Sequence, residues 1–222
     1  VREINVDLEV TVLRVFCGDR GTGGNRLGVV VDGPAVAVDD RQPLARFLGY
    51  SETVFVDDPQ TGRVRIFTPE VELPFAGHPA VGTGWLLARE GYPADALLTR
   101  AGRVAIAQRG GRTTARAKPE WCPPFELIEY GSAAEVDALS PGGGGWRYCW
   151  AWTDEPAGLI RARCFVSEAG IPEDEATGSA AVRLCARLGR PIEVHQGRGS
   201  VIWAEPVETG ELVELSGTVV AD

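Results

Sequence analysis

Hydrophobic and polar residues alternate, or run together briefly between turn residues, along most of the chain. The pattern predicts strands at "DLEVTVLRVF" (7–16), "RLGVVVDG" (26–33), "SETVFVDD" (51–58) and "RVRIFTPE" (63–70). Further strands are predicted at "GRVAIAQR" (102–109), "RTTARAKP" (112–119), "WRYCWAWT" (146–153), "IRARCFVS" (160–167), "IEVHQG" (192–197) and "GELVELSGTVV" (210–220). Helical spacing is confined to "DRQPLARFLGY" (40–50), "GTGWLLAREG" (82–91), "SAAVRLCARLG" (179–189) and the shorter "SAAEVDAL" (132–139). In the third, Arg183 and Arg187 fall on one face and Gly189 is placed to end the helix. Strands dominate and helices are few, so an α+β fold is expected.

The segments "RVRIFTPEVELP" (63–74) and "RARCFVSEAGIP" (161–172) align without a gap, matching Arg63 with Arg161, Arg65 with Arg163 and Phe67 with Phe165. Glu70 also meets Glu168, and Pro74 meets Pro172. Beyond them, with two residues dropped from the second copy, "GHPAVGTG" (77–84) overlies "EDEATGSA" (173–180). That alignment pairs His78 with Asp174 and Gly82-Thr83 with Gly178-Ser179. Each copy reads as a strand, a turn and a helix start. An internal repeat of this kind predicts two pseudo-symmetric halves, residues 1–108 and 109–222, with the last strand free to return to the first half. The two helix starts then face one cleft. Helix N-termini expose N–H groups without intrahelical partners and carry partial positive charge, so the cleft is expected to take an anion such as a carboxylate.

Composition narrows the partner. With 222 residues, 44% of them hydrophobic, the chain can bury a sizeable core. No run of 18 apolar residues exists and the first residues are charged, so neither a membrane span nor a signal peptide is expected; the expected address is the cytoplasm. Net charge is −9 and the 22 basic residues form no run, which argues against nucleic acid. The five cysteines (Cys17, Cys122, Cys149, Cys164 and Cys185) are widely spread, without a C-x-x-C pair, and read as reduced and buried. His195 has no second ligand at a useful spacing, so no metal site is expected. Gly142 to Gly145 read as a flexible loop, and "GTGGNRLG" lacks the dinucleotide spacing because position 26 is Arg. A small-molecule partner remains, and a homodimer is carried as the assembly to test.

Glu52 stands in "YSETVFV", an otherwise apolar strand. A carboxylate there is either paired with an arginine or desolvated, and desolvation raises its pKa toward the operating pH. An ordinary strand-edge glutamate is the alternative. A Ser179–His78–Asp174 hydrolase can also be written, but "TGSA" is no nucleophile elbow.

Together, "FCGDRGTGGNRLGVV", "GYSETVFV", "RIFTPEVELPFAGHPAVGTG" and "GIPEDEATGSA" resemble the PhzF-like proteins of phenazine biosynthesis, in the same order, from about residue 10 to about residue 200. The resemblance implies the diaminopimelate epimerase-like fold: two half-barrel domains, each wrapped on a central helix, with the site between them. It implies proton transfer without a cofactor on a small carboxylate-bearing metabolite, by allylic migration or enol to keto tautomerisation. Glu52 would move the proton, with His78 and Asp174 assisting. Asn25, Gly77, Gly178 and Ser179 would bind the substrate. Two positions depart from the family's motifs. Prolines are replaced by Arg26 and Glu175, which are expected to place new charges near the mouth of the cleft. An epimerase, or a binding or resistance protein without catalysis, is the alternative on the same fold. A two-thiol racemase is disfavoured because neither loop carries a cysteine.

Overall fold

The structure is a computed structural model that describes residues 8–207 and 210–222. The charged stretch 1–7 lies outside the described residues. The first half contributes β1 (Thr11–Cys17), β2 (Gly23–Val30), α1 (Val38–Leu48), β3 (Glu52–Asp58), β4 (Arg63–Phe67), β5 (Glu72–Leu73), α2 (Gly77–Arg89), β6 (Ala96–Thr99), β7 (Gly102–Arg109) and β8 (Arg112–Ala117). The second contributes β9 (Glu126–Glu129), α3 (Ala133–Asp137), β10 (Arg147–Asp154), β11 (Leu159–Val166), β12 (Ile171–Asp174), α4 (Gly178–Leu188), β13 (Ile192–Gln196), β14 (Ser200–Pro206) and β15 (Val213–Ala221).

Each element from β2 to β8 has a counterpart from β9 to β15, in the same order and with the same pairing sense. The pairs β2–β3 and β9–β10 are parallel, as are β4–β6 and β11–β13, while β3–β4 and β10–β11 are antiparallel. Among the described residues β1 has no counterpart. It pairs with β2 on one side and β15 on the other, and β15 also pairs with β8, so the first half closes into a ring of strands. α2 fills this ring, with ten of its thirteen residues buried. A Cβ at Gly82 would lie 2.6 Å from Leu27 Cδ2 and 2.7 Å from Val15 Cγ2, so glycine lets β1 and β2 close on the helix. The second half runs β15-β14-β13-β11-β10-β9 around α4 and ends at β9.

The structure corrects the register of the repeat. The gapless match holds through β4 and β11, but α2 begins at Gly77, earlier than the expected 82, and α4 begins at Gly178. Ion pairs fix the true correspondence: Arg65 pairs with Glu72 across β4–β5, and Arg163 with Glu173 across β11–β12. Ile66 stands opposite Leu73 as Cys164 stands opposite Asp174. Asp174 therefore occupies the place of Leu73, and Ser179 that of His78. The turn between the paired strands is longer in the second copy, and turn length is not constrained by the residues that make the strands match. Pro79 does not delay the start of α2, because a first-turn N–H has no helical acceptor to lose.

Candidate active site

Glu52 is the first residue of β3, and its Cα stands opposite Leu27 of the parallel neighbour β2. His78 is the second residue of α2. Both side chains are buried, and His78 Nε2 lies 3.1 Å from Glu52 Oε2. The approach lacks hydrogen-bond alignment, so both atoms remain without a hydrogen-bond partner. Among the described residues no arginine neutralises Glu52. Burial, and then the charge of Asp174, push its carboxyl well above the usual range. Burial holds the His78 imidazole neutral, with its pKa lowered to about 3.

Asn25 joins the two halves. Its Nδ2 donates to Asp174 Oδ1 at 2.7 Å and to the Ala176 carbonyl at 3.0 Å, and its Oδ1 accepts from the Ser51 hydroxyl at 2.7 Å. His78 Nδ1 lies 3.4 Å from the same Nδ2, whose two hydrogens go to Asp174 Oδ1 and the Ala176 carbonyl. Asp174 is also buried. Burial raises its pKa, and hydrogen bonds from Thr177 and Asn25 offset part of the rise.

The two helix starts abut. Ser179 Oγ accepts from the Gly77 N–H at 3.0 Å, and a Cβ at Gly77 would lie 2.8 Å from the Gly178 carbonyl carbon. A Cβ on Gly178 would meet Leu215 at 2.8 Å and the Phe16 ring at 3.0 Å. Phe16 takes a φ of 67°, rare for a bulky residue, and its ring packs beneath the helix start. Glu52, His78, Asp174, Gly77, Gly178 and Ser179 line one cavity of about 20 Å³, roughly the space of one water. Apolar side chains complete it, including Pro123, Phe125 and Trp146; the Phe125 and Trp146 rings meet edge to face at 5.5 Å.

The six cleft residues expected from the sequence thus converge, and Asn25 stands behind them. Arg26 and Glu175 do not reach this cavity. They line a separate hollow of about 440 Å³ on the far side of Asn25. There Arg26 pairs with Asp222 at 2.9 Å and lies over the Tyr50 ring, while Glu175 accepts from the Ser200 hydroxyl at 2.9 Å. Sequence reasoning missed Ser51, Thr177, Gln196 and the aromatic wall. Gln196 had a signal: Ile192, Val194 and Gln196 share the inward face of a strand, where a polar residue is unexpected. The five cysteines are free and buried, and none lines the cavity. Among the described residues no three His, Cys, Asp or Glu side chains converge as metal ligands, and no helix is long and apolar enough to cross a membrane.

Residues 14–143 match the family model PhzC-PhzF, described as phenazine biosynthesis-like protein. The chain belongs to this family. A trans-2,3-dihydro-3-hydroxyanthranilate isomerase from Pseudomonas aeruginosa is 30% identical over 250 aligned residues, covering 87% of this chain and 90% of that relative. An uncharacterized isomerase from Mesorhizobium japonicum is 47% identical over 78 residues, or 33% of this chain and 26% of that one. Among solved structures, a PhzF-family protein from Bacillus anthracis superposes with a TM-score of 0.77 at 19% identity, over 96% of both chains. A Pseudomonas aeruginosa protein described as a predicted epimerase gives 0.75 at 25% identity, over 97% of both. The fold is thus the α+β, epimerase-like fold of the PhzF proteins, and the chain is a PhzF-family isomerase.

Proposed function

We propose that the protein moves a proton from one carbon of a small carboxylate-bearing metabolite to another, with side chains alone as acid and base. One observation carries this reading. Glu52 is a buried carboxyl without a hydrogen-bond partner on Oε2, in the cavity where two helix starts meet. Its raised proton affinity suits a group that must take a proton from carbon and return it. The first-turn N–H of Gly178 and the Ser179 hydroxyl, whose oxygen accepts from the Gly77 N–H, offer a seat for the substrate carboxylate. His78, neutral, stands beside the Glu52 carboxyl where charge develops. The cavity is too small for such a substrate as it stands, so binding requires the halves to part.

The first candidate substrate is trans-2,3-dihydro-3-hydroxyanthranilate, from the name of the Pseudomonas aeruginosa relative. In heavy water, turnover should place deuterium at the accepting carbon, or retain substrate hydrogen if the shuttle is shielded. Glu52→Gln should lower the rate about 100-fold or more while leaving affinity nearly unchanged. Near wild-type turnover by Glu52→Gln would exclude the mechanism. Ligand binding without proton exchange in the wild type would favour a binding protein instead.

A further inference from the structure

Gln196 ends β13, 1% exposed, and every polar atom of its side chain is engaged by the segment between β12 and α4. Its Oε1 accepts from the Thr177 N–H at 3.2 Å. Its Nε2 donates to the Asp174 carbonyl at 2.8 Å and to Thr177 Oγ1 at 2.9 Å. The amide cannot be turned over: an N–H can only donate and a carbonyl can only accept, so the Thr177 N–H fixes Oε1 and the Asp174 carbonyl fixes Nε2. Thr177 Oγ1 therefore receives a hydrogen from Gln196, and its own hydrogen is left for Asp174 Oδ2, 2.7 Å away. Asn25 has the same one-way character, because the Ala176 carbonyl fixes its Nδ2 toward Asp174 Oδ1.

We propose that Gln196 is a positioning residue: it fixes the direction of the Thr177 hydroxyl, so that both oxygens of Asp174 accept hydrogen bonds and Asp174 faces Glu52 as the unprotonated partner. This deepens the proton-shuttle reading and rests on it for its catalytic meaning. The hydrogen-bond polarity itself can be tested without substrate. Other titratable groups around Asp174 are Glu52 from β3, Tyr148 from β10, Cys164 from β11 and Glu175 next in the chain, with His78 from α2 meeting the same Asn25 amide. Tyr148 and Cys164 are buried with raised pKa values and stay neutral, so neither supplies a rival charge through the neutral range.

The test is a carboxyl carbon NMR titration of the whole protein, with Asp174 assigned by loss of its signal in Asp174→Asn. Thr177→Val should raise the Asp174 midpoint by about 1–2 pH units, the size of one hydrogen bond to a charged group. Gln196→Met should raise it in the same direction, and combining it with Thr177→Val should add nothing beyond Thr177→Val alone. Gln196→Asn, which keeps an amide but falls short of Thr177, should behave as Gln196→Met does and serves if the larger change prevents folding. A Gln196 variant that loses thermal stability but leaves the Asp174 midpoint unmoved would overturn the proposal, as would full additivity with Thr177→Val. Near wild-type turnover by Glu52→Gln would instead overturn the proton-shuttle reading and leave this hydrogen-bond assignment standing.

Discussion

The two halves repeat one arrangement of strands and helices, yet they close in different ways. In the first, β1 and β15 complete a ring of backbone hydrogen bonds around α2. In the second, the described residues form no counterpart of β1, and two arginines of α4 reach the open side: Arg183 donates to the Pro119 carbonyl at 3.3 Å and Arg187 to that of Leu127, in β9, at 3.2 Å. The helices differ to match. α2 is buried nearly all round, whereas α4 keeps a polar face. A helix inside a closed ring must be apolar or glycine-rich throughout, and one beside a gap can carry charge at the gap. Division of labour at the site follows the same line. Glu52 and His78, whose Oε2 and Nε2 face the cavity without hydrogen-bond partners, come from the closed half. The second half supplies the hydrogen-bonded Asp174, Thr177 and Gln196.

The largest effect that would test this contrast is core truncation. Leu87 in α2 and Leu184 in α4 are both 0% exposed. Leu87→Ala should cost about 4 kcal/mol, near the top of the usual range, because a closed ring cannot collapse onto the cavity; Leu184→Ala should cost about 2–3 kcal/mol. Equal losses in denaturant unfolding would break the comparison.

Next is the pH dependence of His78 against its counterpart Ser179. In the unfolded chain the imidazole takes up a proton below about 6.5, whereas in the fold it does so only at about 3. Its contribution to stability is therefore complete above pH 6.5 and is lost as pH falls toward 3, by a few kcal/mol in total. His78→Gln should remove that slope from the stability profile, and Ser179→Ala should leave it in place. An unchanged slope in His78→Gln would mean that the imidazole takes up its proton at the same pH in the fold as in the unfolded chain.

The smallest effect is expected at the gap. Arg187→Ala should cost only about 0.5–1 kcal/mol, since the bond it removes is exposed, but it should speed amide exchange along β9. Exchange that remains slow there would show that the open side does not depend on the arginine.

Local pattern in the chain determined the strands of regular alternation, the helical segments and the existence of the repeat. Glu52 stood out as an acid in an apolar strand, and His78, Asp174 and Ser179 as residues at turns that open helices, but the choice of Glu52, His78, Asp174, Gly77, Gly178 and Ser179 as site residues came from the resemblance to the PhzF-like proteins. The four-residue strands β6, β9 and β12 were not legible, being too short to show a period. β14 was hidden because Ser200, Val201 and Ile202 are all buried and mask the alternation. Tertiary structure alone decided the register of the second helix start, since turn length is free to vary while strands stay matched. It also decided that Arg26 and Glu175 face a different hollow, and that Ser51, Thr177 and Gln196 meet around Asp174. Those contacts join residues as far apart in sequence as 25 and 174, and they are set by how β2, β12 and β13 pack, which no local pattern encodes.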